Sequence, residues 1–488
     1  MDKLLLEVLN FLVASGKIDY ADVRYRETFT EDIITSNNVL KNYNNHDDRG
    51  VGIRVLKDGC WGFASTSKFN DIDSLLKYAN IAIEIAKQAS YFQNHNSSNR
   101  IKLTKLTADQ IIREGKYKTP IVIDPFKVTA KDKLNILFAV HENVKNKQGF
   151  KRIDGTMKFK KFHQFFYSSE GSRIENEIYL NDVSYTITVV EDGDFQSRTF
   201  FGIPKTAGFE WILAQPIVED STRLAEEALI KLKASKVTPA KRDLIILPSN
   251  LHLTIHESVG HPTELDRVLG WEANFAGTSF ATPEKKGNFQ YGSDIVNFRA
   301  DNNLSGGLAT IGFDDDGIPS KSFDIIKDGI LVGYSTTRET AHLIGESESM
   351  GCNRADSYAL MPINRIPNLS LMPGKKLLTL EELIADTEDA ILIDGRGSFS
   401  IDQQRLNFQF GGDFFQEIKN GKIVGPLRDV TYQAISYEFW RSCDAICDQR
   451  FWQTHGTLNC GKGEPSQTQH MTHGASPARF RNISVGGA

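Results

Sequence analysis

The sequence predicts an α+β fold with mixed, largely antiparallel sheets and accompanying helices, and three observations carry that expectation. Tyr185, Ile187 and Val189 alternate with polar residues, the period of a strand with one half-exposed face. Elsewhere apolar residues recur at helical spacing, as in Ile72, Leu75, Leu76, Ala79 and Ile83. Turn dipeptides punctuate the C-terminal half at Asp316-Gly317, Asp328-Gly329 and Asn420-Gly421, each between apolar runs, as antiparallel hairpins require.

In chain order the elements fall into three blocks: an N-terminal α/β domain at 1–110, a middle domain with antiparallel sheet and helices at 111–236, and a β-rich C-terminal domain at 237–488. Leu4, Leu5, Leu6, Val8 and Leu9 are interrupted by Asp2 and Glu7 with no basic region before them, so an amphipathic helix is expected, not a secretory leader. A hairpin follows, with 51–56 leading through Lys57-Asp58-Gly59 to Trp61-Gly62-Phe63. A helix starts near Asn70, which can cap it, and the polar run 93–99 reads as a loop. The middle block supplies a helix at 131–146, the alternating strands, and a helix at 221–234 rich in Leu, Ala, Glu and Lys. Ser235-Lys236-Val237-Thr238-Pro239 marks the next boundary. A short buried strand at 243–248 then runs into a helix that Ser249 or Asn250 can cap. The similar phrases 325–333 and 417–425 read as two hairpins.

Composition excludes several function classes. The net charge is −5, and the 57 Lys and Arg residues are spread along the chain, so no basic patch exists to attract a phosphate backbone or an anionic bilayer. Neither nucleic acid nor membrane is expected as a direct partner, and no stretch approaches the roughly 20 apolar residues needed to span a bilayer. The five cysteines, Cys60, Cys352, Cys443, Cys447 and Cys460, are irregularly spaced and odd in number, a poor disulfide framework that points to a reduced, cytoplasmic protein.

The most informative stretch is His256-Glu257-Ser258-Val259-Gly260-His261, two imidazoles and a carboxylate within six residues. Metal-assisted hydrolysis uses that set, with His256 and His261 holding Zn²⁺ and Glu257 taking a proton from the water that the ion acidifies. The spacing is unusual, because residues at i and i+4 stand about 40° apart around a regular helix and residues at i and i+5 about 140° apart. Gly260, which permits unusual backbone angles, and Pro262, which biases His261 away from α geometry, suggest that His261 swings back from the helix exit or from an inserted bulge.

Spacing alone leaves the third ligand open among Cys460, His455, His470, His473 and the pair Cys443/Cys447. His470 and His473 read as part of a solvated tail, and Cys443 with Cys447 as a core pair. Glu264 and Asp266 either accept the outer N–H of a ligand imidazole or form a solvated acidic turn. Tyr432, His455, Arg354 and Arg365 are unranked candidates to polarise a carbonyl or hold a substrate terminus, and no oxyanion stabiliser emerges.

The run from His256 to Asp266, His-Glu-Ser-Val-Gly-His-Pro-Thr-Glu-Leu-Asp, resembles the metal motif of the TldD/PmbA family of metallopeptidases. The ending is similar too, in Cys460-Gly461-Lys462-Gly463, Ser476-Pro477, Phe480-Arg481-Asn482-Ile483 and Ser484-Val485-Gly486-Gly487. Weaker echoes are Val51-Gly52-Ile53-Arg54-Val55, Trp61-Gly62-Phe63-Ala64-Ser65-Thr66 and Ser168-Ser169-Glu170-Gly171-Ser172. Two departures stand out: Ser258 where the family usually has Ala, and the spacer Thr457-Leu458-Asn459. The resemblance implies family-like N-terminal domains, a C-terminal metal domain and Cys460 as third zinc ligand. It further implies a TldD-type peptidase acting on short or unfolded peptides, which add as a strand to a sheet edge inside a closed dimer. The resemblance implies as partner a second copy or a PmbA-type paralogue. Two alternatives keep the metal but change the role: a non-hydrolytic peptide-binding or modulating protein with a structural ion, or a metal hydrolase of non-peptide amides.

Overall fold

The structure is a computed structural model that describes residues 1–16, 18–93, 100–107 and 110–487. The loop expected at 93–99 lies, from 94 onward, outside the described residues. The fold is α+β with largely antiparallel sheets, as the alternation and turn signals require.

Residues 20–66 and 115–201 build one seven-stranded sheet around the long strands Tyr20–Ser36, Val39–Lys57, Phe150–Ser168 and Arg173–Glu191. The expected hairpin is present, with Lys57 paired to Cys60 across Asp58 and Gly59, both at positive φ. The helix Ile72–Gln93 is started by Asp71, whose carboxylate accepts from Ser74 N at 2.9 Å, and not by Asn70 as expected. That helix lies so close to the hairpin that a Cβ on Gly62 would fall 1.9 Å from the Ala82 carbonyl oxygen. Helices Asp2–Ala14 and Ile72–Gln93 cover Val23, Tyr25, Val51 and Ile53, while helices Ala130–Val144 and Glu219–Leu232 cover Ile33, Met157, Tyr185 and Ile187.

Side chains alternate across a strand, so the intervening residues face the other way. Asp22, Arg24, Arg26 and Arg54 are buried against the C-terminal block: Arg54 joins Asp22 and Asp316 at 2.7 and 2.9 Å, and Arg24 reaches Asp315 at 3.3 Å. One face of the sheet is apolar and helix-covered; the other is an ionic seam to the C-terminal half.

In that half, Ala240–Ile246 pairs in parallel with Asp389–Ile401 and antiparallel with Ala478–Gly487. Val430–Ile435 and Asn407–Lys419 continue the sheet, and Asn407–Lys419 returns to Asp389–Ile401, closing a five-stranded ring. The hairpin turns at Asp328-Gly329 and Asn420-Gly421 take the positive φ angles their sequences favour, joining Lys327 to Ile330 and Lys419 to Lys422. Asp316-Gly317 forms a turn closed by a single bridge between Phe313 and Pro319, not by a full hairpin.

Candidate metal centre

The helix Pro248–Ile255 leaves the ring directly after Ala240–Ile246. Pro248 opens it, a position where the missing N–H costs nothing. Ser249 and Asn250 do not cap it. Ser249 Oγ bonds Asp394 and Gly395 N, while Asn250 donates to the carbonyls of Gly395 and Gly411, both at 2.8 Å, and accepts from Tyr432. The helix is therefore pinned to the ring by side chains.

After Ile255 the backbone widens into a π-helical turn, His256–Gly260, in which His261 N–H donates to the His256 carbonyl. That i→i+5 bond brings the fifth residue back over the first, so the two imidazoles lie on one face with ring centroids 4.7 Å apart. The inserted bulge anticipated from the spacing is present, but its causes differ from those expected. His261 keeps α-region angles (φ −60°, ψ −44°) despite Pro262, because Thr263 Oγ1 bonds back to the Val259 and Gly260 carbonyls at 2.7 and 3.2 Å. Gly260 has ordinary negative φ. Its missing side chain matters for space: a Cβ would meet Ile366 Cδ1 at 3.0 Å.

Cys460 arrives on the hairpin of Gln453–Lys462 and Gln467–Ala475. Thr457 pairs with Met471 and Cys460 with Gln469, so three steps on one strand match two on the other. The unmatched spacer Thr457-Leu458-Asn459 thus contains a β-bulge, which moves Cys460 onto the face shared by Gln469, Met471 and His473. The potential ligand atoms of His256, His261 and Cys460 all lie within 4.8 Å of one another, and all three residues are buried.

Hydrogen bonds define which nitrogen of each ring faces the centre. His473 Nδ1 lies 2.9 Å from the Leu369 carbonyl, so it carries the proton and leaves Nε2 as acceptor. His473 Nε2 lies 2.9 Å from His256 Nδ1, which must then donate, leaving His256 Nε2 with a free lone pair. His261 Nδ1 donates to Glu264 Oε2 at 2.7 Å, and its Nε2 faces Cys460 Sγ at 3.6 Å. Burial lowers the proton affinity of both rings, favouring the neutral form a metal requires. For Cys460, burial pushes the thiol up, but His261 and the Arg365 guanidinium, 3.1 Å from Sγ, more than offset it and hold the thiol below its ordinary range.

Glu264 is no solvated turn; it is fully buried beside Lys462 and Arg267, and these cations with His261 overcome burial to keep its carboxyl well below the usual range. Asp266 does not touch an imidazole and instead clamps Lys462 Nζ at 2.7 and 2.8 Å. Ser258, the departure from the usual Ala, donates to the Thr254 carbonyl and accepts from Trp440 Nε1 at 2.9 Å. Glu257 lies beside the centre, ion-paired with Arg405.

The remaining candidates disperse. His473 is no part of a solvated tail; it is fully buried behind His256, and half-buried His470 bonds the Leu458 carbonyl. His455 stacks on His252 in a separate cavity of about 30 Å³. Tyr432 and Arg354 are spent on structural hydrogen bonds, Cys443 and Cys447 lie in different apolar clusters, and Arg365 serves Cys460. Sequence reasoning missed Arg405, whose partner Glu257 is 148 residues away.

Two family models match this chain. The model of the PmbA/TldA metallopeptidase C-terminal domain matches residues 239–487, and that of PmbA/TldA metallopeptidase domain 1 matches 21–86. A metalloprotease of Methanocaldococcus jannaschii is 30% identical over 445 residues, spanning 90% of this chain and 92% of its own length. A zinc metalloprotease TldD homolog of Saccharolobus solfataricus is 23% identical over 474 residues, 96% of either chain. Among solved structures, TldE from Thermococcus kodakarensis shares the fold with a TM-score of 0.76 at 15% identity, over 99% of this chain and 100% of that one. The chain therefore belongs to the PmbA/TldD family of metallopeptidases, metal-dependent hydrolases of peptide bonds.

Proposed function

We propose that this chain is a zinc-dependent peptidase of short or unfolded peptides, with His256, His261 and Cys460 as ligands and Glu257 as general base. One observation carries the reading: two lone-pair nitrogens of defined tautomer converge with a thiol biased toward thiolate, a donor set that suits Zn²⁺ and not a hard cation. Among the described residues this cluster has three protein donors, which supports a catalytic site with one position left for water over a structural one. When bound, the ion supplies an acidified water and a Lewis acid for the carbonyl.

The chain's own residues do the rest. Glu257 accepts the proton of the attacking water and returns it to the leaving amine. His473 and Glu264 keep the two imidazoles aimed, and the Arg365 guanidinium, 3.1 Å from the Cys460 sulfur, favours its thiolate form. Main-chain pairing of an extended substrate with a sheet edge gives broad side-chain tolerance. The family pattern supports work as a dimer, with a second copy or a PmbA-type partner, and five buried thiols support a reducing, cytoplasmic setting.

The test measures zinc per chain and cleavage of an unstructured peptide library, with and without a PmbA-type paralogue. Glu257→Ala should keep zinc and lose cleavage; Cys460→Ala should lose zinc. Full zinc in Cys460→Ala would remove the ligand assignment, and unchanged turnover in Glu257→Ala would remove the base.

A further inference from the structure

Arg405 sits in the link between Asp389–Ile401 and Asn407–Lys419 at φ 61°, a left-handed conformation that costs a residue with a Cβ. The turn is held from several sides. Arg405 N bonds the Asp402 carbonyl at 3.0 Å, and the Asp402 carboxylate accepts from Leu406 N and Asn407 N. Ser436 Oγ donates to the Arg405 carbonyl at 2.7 Å, while the carbonyls of Gln403 and Gln404 accept from Thr278 N and Phe280 N. Contacts that over-determine a costly backbone angle mark a side chain whose direction matters.

That direction is toward the metal centre. Nη1 donates to Glu257 Oε2, and the guanidinium lies within electrostatic reach of His256, His261 and Cys460. A guanidinium has five N–H groups, and one is used on Glu257. Among the described residues Nε has no partner, although it is buried, and the side chain keeps 16% of its surface exposed. A cation with spare donors thus stands beside the carboxylate that faces the attacking water. Hydrolysis needs such a group, because charge builds on the carbonyl oxygen in the transition state.

We propose that Arg405 binds the carbonyl oxygen of the scissile peptide bond and stabilises the oxyanion, with Glu257 anchoring its guanidinium. This inference rests on the site and base proposed above. As the water oxygen bonds to the carbonyl carbon, the C=O π pair moves onto oxygen against Arg405, and Glu257 takes the water proton. When that pair returns, the C–N bond breaks and the amine leaves with the proton from Glu257.

Arg405→Asn and Arg405→Gly both suit a positive φ, so loss of backbone geometry does not confound the test. Each zinc-loaded variant is assayed for zinc content, for turnover of one unstructured peptide, and by calorimetry with two uncleavable peptides of the same sequence. One carries a phosphinic group, which mimics the tetrahedral oxyanion; the other carries a reduced amide, which lacks the oxygen. Zinc content should stay at the wild-type level, kcat should fall about 10²–10³-fold with KM within about threefold, and phosphinic affinity should fall in step while reduced-amide affinity holds. Unchanged phosphinic affinity, or equal weakening of both peptides, overturns the assignment. Glu257→Ala in parallel separates the two readings. Retained turnover there removes the base and leaves the peptide comparison to judge Arg405; lost turnover there with unaffected Arg405 variants keeps the base and removes the oxyanion role.

Discussion

A neutral imidazole offers a metal one lone pair, so a ligand histidine is defined as much by the partner of its outer nitrogen as by its own position. Here the partners are His473 for His256 and Glu264 for His261, at 2.9 and 2.7 Å. His473→Asn keeps a polar group but is too short to reach His256, and zinc affinity should fall about 10–100-fold in a chelator competition. Unchanged affinity would mean that His256 holds its orientation without that bond. The proposed ligands His256 and His261 and the proposed base Glu257 stood out as residue types within one hexapeptide, and Cys460 through the family ending. His473 and Arg405 were not legible, because their roles depend on bonds to Leu369 and Glu257 that no local pattern encodes.

At the scale of elements, two irregularities bring the proposed ligands together: the π turn that reunites His256 with His261, and the bulge that rotates Cys460 toward them. The i+5 spacing announced the first. Its support was not visible in sequence, since Gly260 acts by making room for Ile366 and not by taking an unusual angle. Gly260→Val should overpack this contact, costing about 1–3 kcal/mol in urea denaturation. It should also weaken zinc binding by displacing His261. Adding Ile366→Ala should recover part of both losses; no recovery would show that the glycine serves the turn in some other way. The hairpins were the most legible elements, because Asp58-Gly59, Asp328-Gly329 and Asn420-Gly421 carry their backbone angles in their own side chains.

At the scale of the whole molecule, the N-terminal sheet meets the C-terminal half through buried charge. Trp61 Nε1 donates to Glu339 Oε1 at 3.0 Å across this seam. Burial, reinforced by Asp316, raises the Glu339 carboxyl to about 7, although Arg54 and Trp61 oppose the shift. A carboxyl whose folded pKa is raised binds its proton more tightly in the folded state, so stability falls as pH rises from the unfolded value near 4.5 through about 7. Glu339→Gln, which can still accept from Trp61, should therefore raise Tm at pH 8 and leave it unchanged at pH 4. Equal shifts at both pH values would assign the effect to packing instead of charge.

By itself the sequence determined the α+β class, the hairpin turns, the helix periods and the residue types of the proposed metal motif, because each is written in residues a few positions apart. Only the tertiary structure decided which nitrogen of His256 faces the centre, how Tyr432 and Asn250 lock the helix to the ring, that Ser258 accepts from Trp440, and that Arg405 pairs with Glu257. Those facts arise from contacts between residues a hundred or more positions apart. Buried polar groups must find partners there or lose the hydrogen bonds they had in water, and the chain writes no local sign of which partner they find.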